Sequence, residues 1–122
     1  IDVNSLNATQ AGTYTLENGK LVEDIQESSK SDIVAREQAV IIDRKEHPED
    51  GSYTNYLFDK GEDKILKKVG EEAAEVVIAG KNRDKDEICY EVSDLMYHLT
   101  VMLVDNGMTW EDIYKEMERR RN

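Results

Sequence analysis

The sequence predicts an all-α protein, a helical bundle, on three observations. A single proline stands among 122 residues, so helix interiors are rarely interrupted. The stretches 62–79 and 85–105 carry apolar residues at helical rather than alternating spacing. Stop and start signals flank them: Gly80, Asn106-Gly107 and Thr109. Hydrophobic residues make up 39% of the chain, enough for one modest core, and charged residues 35%.

Residues 1–31 read as a small irregular or hairpin N-terminal extension or linker. Thr13-Tyr14-Thr15-Leu16 and Leu21-Val22 flank Asn18-Gly19, a hairpin-turn pair, and Glu27-Ser28-Ser29-Lys30-Ser31 has linker composition. The segment is too small for a core of its own. Residues 32–122 form the main domain. Asp32 is placed to N-cap a first helix to about Glu46, with Ile33, Ala39, Val40 and Ile41 as buried candidates. His47-Pro48-Glu49-Asp50-Gly51 ends it, and Ser52 to Phe58 is an aromatic connector or short helix closed near Gly61.

The next helix spans about Glu62 to Ala79, with Gly80 as its terminator. Ile65, Leu66, Val69, Ala73, Val76 and Val77 fall on one face. The helix from about Lys85 to Asp105 carries Ile88, Val92, Leu95, Met96, Leu99, Met102 and Leu103 as its stripe. Beyond Tyr97 it is apolar almost all round, so it belongs at the centre of a bundle or in a dimer interface. Thr109, with Asp112 three residues on, starts the last helix, which ends in Arg119-Arg120-Arg121. Trp110 reads as packing for that helix, and Met96, Met102 and Met108 as core or interface.

A net charge of −11 argues against nucleic acid and anionic membrane surfaces as partners. No run reaches the length of a membrane span, and the N-terminus lacks the basic-then-apolar order of a secretory signal. Cys89, the only cysteine, excludes an internal disulfide and a cysteine zinc cluster. Its expected setting is a reducing cytoplasm, and its expected place a small packed position in the helix. Charge is uneven along the chain. Between Lys60 and Lys85 seven cations face six anions, a local balance suited to holding both a metal and a phosphate.

Two carboxylate groups stand out, Glu71-Glu72-x-x-Glu75 and Glu91-x-x-Asp94. Residues three apart on a helix are neighbours, so Glu72 pairs with Glu75 and Glu91 with Asp94. With Glu91 as reference, Asp94 lies at about −60° and the apolar stripe at about +20° to +140°. Glu72 likewise borders its own stripe, so these acids sit at the edge of the core. The short 80–85 connection favours antiparallel packing of the two helices, which lets the pairs face each other. Carboxylates so grouped repel unless a cation lies among them, and a few hard oxygen ligands suit Mg²⁺. Lys64 and Lys68 precede the acids on nearly the same face, with Lys60 beside them if the helix reaches back that far. Spacing alone does not separate this site from an ordinary solvated face with i,i+4 pairs such as Lys68–Glu72.

His98 lies in angle between Glu91 and Asp94; a metal ligand or base is conceivable there, and a buried, hydrogen-bonded histidine is favoured. Tyr53 and Tyr56 line a base pocket or serve as core aromatics. The chain has no Gly-rich phosphate loop, Ser/His/Asp triad or HExxH motif.

The stretch from Gly51-Ser-Tyr-Thr-Asn-Tyr-Leu-Phe58 through Lys60 to Asn82, continued by Tyr90-Glu91-Val-Ser-Asp94-Leu-Met-Tyr97-His98, closely resembles phosphoribosyl-ATP pyrophosphohydrolases. The resemblance covers about residues 33–121. Its E-E-x-x-E and E-x-x-D elements are those of the wider all-α, MazG-like nucleotide pyrophosphohydrolases. It implies a MazG-like bundle assembled as a homodimer, acting on a small nucleotide. The implied reaction converts phosphoribosyl-ATP and water to phosphoribosyl-AMP and pyrophosphate, the second step of histidine biosynthesis. By motif match Glu72, Glu75, Glu91 and Asp94 would be Mg²⁺ ligands, with Glu71 a ligand or the water-orienting base. Lys64, Lys68 and Lys81 would contact phosphate. In many organisms such a domain is fused to a cyclohydrolase that uses several cysteines and histidines; Cys89 cannot supply them, so only the pyrophosphohydrolase activity is expected here. The rivals are a house-cleaning nucleoside triphosphate pyrophosphohydrolase, against which the S-Y-T-N-Y-L-F block argues, and a non-catalytic acidic dimerisation or Ca²⁺-binding module.

Overall fold

Helical periodicity and capping residues produce five helices in the computed structural model, which describes residues 32–121. They are α1 (Ile33–Glu46), α2 (Tyr53–Lys60), α3 (Glu62–Asn82), α4 (Lys85–Asp105) and α5 (Trp110–Arg120). The described residues contain no strand, in keeping with the all-α expectation. The hairpin anticipated around Asn18-Gly19 lies outside them. The chain divides into two units, Ile1–Arg36 and Glu37–Asn122. Of the first, the described part is the opening turn of α1, where the Asp32 carbonyl accepts from the Arg36 N–H at 2.9 Å. That is the backbone bond expected of an N-cap residue. All that follows concerns the second unit.

Helix α2 begins at Ser52, whose hydroxyl accepts from the Asn55 N–H at 3.2 Å. Gly61, at φ 92, ends it, a conformation that L side chains rarely adopt. The break places Lys60 at the end of α2 rather than on the strip with Lys64 and Lys68. Helix α3 runs to Asn82, past the expected stop at Gly80. Arg83 takes the left-handed turn at φ 56 instead, and its N–H bonds the Gly80 carbonyl. Asp84 then caps α4, its side chain accepting from the Glu87 N–H at 3.1 Å. Thr109 starts α5, its N–H donating to Asp112 Oδ2 at 3.0 Å.

Helices α3 and α4 form an antiparallel hairpin centred on Arg83. Ile65 and Val101, eighteen residues either side of Arg83, share one core cluster. Glu72 and Asp94 stand eleven residues either side and approach closely. The core comprises Ile41 of α1, Leu57 of α2, Ile65 of α3, and Val101 and Val104 of α4, with Ile42, Phe58, Tyr97 and Met102 packed against it. Each buried aliphatic contributes about 1.5–3 kcal/mol. Asn55 ties the 47–52 connection to the bundle: its Nδ2 donates to the Arg44 carbonyl at 2.7 Å and its Oδ1 accepts from the Glu49 N–H at 2.8 Å. Trp110 docks the start of α5, its Nε1–H donating to Thr100 Oγ1 at 2.8 Å and its N–H to Gln38 Oε1 at 2.7 Å.

Several expected core positions face outward. On α1 only Ile41 is buried, while Ile33, Ala39 and Val40 are exposed. Within the second unit one narrow line of α1 meets α2, α3 and α4, and Ala39 and Val40 lie off it. On α3, Leu66 and Val77 are exposed, Val77 at 70%. The covered face takes Ile65 and Ala79, with Val69, Ala73 and Val76 half-buried beside them, and Leu66 and Val77 extend past its edge. Cys89 is exposed, not packed, in the second turn of α4 beside the hairpin's turn. Met108 is exposed beyond the end of α4, whereas Met96 and Met102 are half-buried.

Candidate active site

The hairpin brings the two acidic motifs together. Glu72, near the middle of α3, is 8% exposed, and Asp94 comes from the facing turn of α4. These two carboxylates and the His98 ring offer ligand-type atoms all within 4.8 Å of one another. Glu91, one turn before Asp94, is half-buried and feels the charges of Glu75, Glu72 and Asp94. Glu75 and Glu91, eight residues either side of Arg83, thus extend the facing pair by one turn. Glu71 is exposed, beside Glu72.

Electrostatics follow from this crowding. Burial pushes the Glu72 carboxyl above the ordinary range, and the neighbouring Asp94 raises it further, with Lys68 opposing. Glu91 is raised likewise, first by desolvation and then by Glu75, Glu72 and Asp94. The Lys68 ammonium lies 3.4 Å from both Glu71 Oε1 and Glu72 Oε2. Burial alone would lower Lys68; Tyr53, Glu72 and Glu71 outweigh it, and the group stays firmly charged.

Tyr53 and Tyr56, from α2, border the acidic groove. Their rings stack with centroids 5.9 Å apart, and Tyr53 also stacks with Tyr97 at 6.1 Å. Both are partly exposed, so they form a surface platform rather than core. Lys60 and Lys64 each place an ammonium 5.8 Å from the Tyr56 ring centre. A cleft of about 470 Å³ is lined by Pro48, Ser52, Tyr53, Tyr56 and Asp59 among others. Burial raises the Tyr53 phenol; Lys68 and Lys64 oppose this, and Asp94 and Glu72 add to it. The phenol therefore lies within electrostatic reach of both the acids and the lysines.

Lys81 does not join this cluster. It is nine residues beyond Glu72 on α3, about 13 Å along the axis and on the opposite face. His98 is 3% exposed and fully engaged: Nδ1 is 2.9 Å from the Asp94 carbonyl oxygen and Nε2 is 3.0 Å from the Tyr53 hydroxyl. Next to it the Tyr97 hydroxyl makes a short hydrogen bond with Thr54 Oγ1. Sequence reasoning found Tyr53 and His98 separately and missed their bond. The two are 45 residues apart, and no spacing rule links them.

Chemically, the groove concentrates hard anionic oxygens on one side and ammonium groups on the other, beside an aromatic surface. Such a site suits a ligand with a metal-binding, multiply charged end and a planar end. Comparison with known proteins places the chain in a family. Residues 34–121 match the family model described as phosphoribosyl-ATP pyrophosphohydrolase. A histidine biosynthesis bifunctional protein HisIE of Thermoanaerobacter pseudethanolicus is 57% identical over 103 residues, covering 84% of this chain and 42% of that protein. A second HisIE, of Oceanobacillus iheyensis, is 47% identical over 117 residues, covering 94% of this chain and 54% of the relative. A phosphoribosyl-ATP pyrophosphatase of Streptococcus thermophilus is 61% identical over 80 residues, covering 66% of this chain and 77% of that protein. The chain thus spans about half or less of the bifunctional relatives and most of the shorter one. With well over half its length matched by the family model, the chain belongs to the phosphoribosyl-ATP pyrophosphohydrolase family.

Proposed function

We propose that the chain hydrolyses phosphoribosyl-ATP to phosphoribosyl-AMP and pyrophosphate, a step of histidine biosynthesis, with Mg²⁺ as cofactor. The observation that carries this reading is the meeting of Glu72 and Asp94 across the α3–α4 hairpin, with Lys68 beside them. Family membership supports the substrate, since the shorter relatives bear the name phosphoribosyl-ATP pyrophosphatase.

The donor set fits a hard divalent cation. It is built of carboxylate oxygens: burial first, and then the neighbouring acids, raise Glu72 and Glu91, and Lys68 opposes the shift of Glu72 only in part. Glu72, Glu75, Glu91 and Asp94 would hold the ion. When bound, Mg²⁺ supplies neutralisation of these acids and withdraws charge from a phosphate oxygen. The protein's own groups do the rest. Lys68 and Lys64 offset the charge of the triphosphate and of the departing pyrophosphate. Glu71, exposed at the rim, orients the attacking water and takes its proton. Tyr53 and Tyr56 receive the planar base from the cleft side. Cutting the anhydride between the α and β phosphates completes the reaction.

A homodimer belongs to the same proposal. Leu66 and Val77 lie within about 20° of each other on the outer face of α3, and both are exposed. A phosphate contact from Lys81 would have to reach a second copy's site. Because the longer relatives are named bifunctional, association with a cyclohydrolase domain is also part of this reading. The test is turnover of phosphoribosyl-ATP beside a panel of deoxynucleoside triphosphates, with and without EDTA. Preference for the panel would replace the substrate, and EDTA-insensitive release would remove the metal.

A further inference from the structure

His98 has no role in the account so far, yet its surroundings specify one. It is almost fully buried, and Nδ1 faces the Asp94 carbonyl at 2.9 Å. A carbonyl oxygen only accepts, so in the neutral ring Nδ1 carries the proton and Nε2 is a bare acceptor. Nε2 lies 3.0 Å from the Tyr53 hydroxyl, which must therefore be the donor. The one phenolic proton is thus directed inward. What the Tyr53 oxygen presents to the groove is a lone pair. Among the groups that the phenol senses there, Glu72 and Asp94 are acceptors, whereas Lys68 and Lys64 are donors.

We propose that His98 is a positioning residue: it pins Tyr53 so that the phenolic proton points inward and the phenolic oxygen presents a fixed acceptor to the groove. One ring nitrogen holds the backbone of Asp94 and the other holds the α2 tyrosine. The carboxylate turn of α4 and the aromatic platform of α2 are thereby locked together. With both nitrogens engaged, His98 does not ligate the metal. The proposal rests on the groove being the nucleotide site.

The first test needs no substrate. The chain has two histidines, His47 and His98, so ring ¹⁵N spectra of the metal-free protein are simple to assign. His98 is expected as the Nδ1-protonated tautomer, and Tyr53→Phe should shift its Nε2 resonance. The Nε2-protonated form, or an Nε2 signal indifferent to Tyr53→Phe, would overturn the proposal. The second test is kinetic. Tyr53→Phe and His98→Leu should each raise KM for phosphoribosyl-ATP roughly fivefold with kcat little changed, the effect of one hydrogen bond. The double variant should be no worse than either single one, and His98→Gln, whose amide oxygen can take the Tyr53 proton, should restore KM to within about twofold. Additive losses would overturn the proposal. If His98→Leu fails to fold, Tyr53→Phe and His98→Gln carry the comparison. Titration with Mn²⁺ alone should give equal affinities for wild type and His98→Gln; a tenfold loss would make His98 a ligand and refute the assignment. If the wild type does not turn over phosphoribosyl-ATP, the substrate reading fails, while the ring-nitrogen spectra still decide the pinning.

Discussion

Asp94→Asn should stabilise the metal-free protein while abolishing its activity. Glu72 is buried, and Asp94 presents a carboxylate within 4.8 Å of it across the hairpin. Two unit charges at that separation repel by about 1 kcal/mol at the dielectric of water and about 3 kcal/mol at an effective dielectric of 20. The Asp94 side chain is 36% exposed, and Lys68 lies 3.4 Å from Glu72, so screening brings the value toward the lower end. Asparagine keeps the shape and removes one charge. The Asp94 carbonyl that accepts from His98 belongs to the backbone and survives the change. The expected gain is about 1 kcal/mol, which raises the melting temperature by roughly 4–8 °C in a domain of this size. The assay is thermal unfolding near pH 8 in EDTA, repeated in excess Mg²⁺. Wild type should gain stability from Mg²⁺ by mass action, and Asp94→Asn should gain little. If the variant is instead destabilised by about 1 kcal/mol or more in EDTA, Asp94 is a structural partner, and the carboxylate pair is no preformed cation site.

Other predictions rest on separate features. The folded-state pKa of Glu72 and of Glu91 is raised, so the fold binds more protons than the unfolded chain above the ordinary carboxylate value of 4.5. The penalty from these groups is absent below that value and grows as pH rises through the folded pKa. Urea unfolding in EDTA should therefore show this part of the stability falling as pH increases, with Mg²⁺ flattening the dependence. Lys68→Met removes a resident cation 3.4 Å from Glu72 and should tighten binding of Mn²⁺ alone by roughly tenfold. The same variant should weaken the nucleotide, a split in sign that calorimetry reads directly. Arg83 holds a left-handed turn at φ 56, so Arg83→Gly should be neutral to stabilising by up to about 1 kcal/mol in thermal unfolding. Leu57, fully buried at the centre of the core cluster, should cost about 2–5 kcal/mol when replaced by alanine.

The hairpin and its acids were legible because both rest on one periodicity. Helical spacing places Glu72 and Asp94 at the core edge, and a short connection makes the two helices antiparallel. Arc width was not legible. Leu66 and Val77 satisfy the same pattern as Ile65, and only the packing of α4 decides which of them is covered. The same holds on α1, where Ile41 is buried and Val40 is not. The strip of three lysines was shortened by Gly61, whose backbone conformation ends α2 after Lys60. Lys81 came from motif resemblance alone, and helical geometry sets it opposite Glu72. The Tyr53–His98 bond depends on how α2 crosses α4, which no local spacing reports.

The central claim is that carboxylates on two helices hold a metal that serves cleavage of a triphosphate. Pyrophosphate release from phosphoribosyl-ATP by wild type and Glu72→Gln, each with Mg²⁺ and with EDTA, tests it most directly. The account predicts release only by wild type in Mg²⁺, with the variant still folded and no more than a few per cent active. Undiminished release by Glu72→Gln, or by wild type in EDTA, would contradict it.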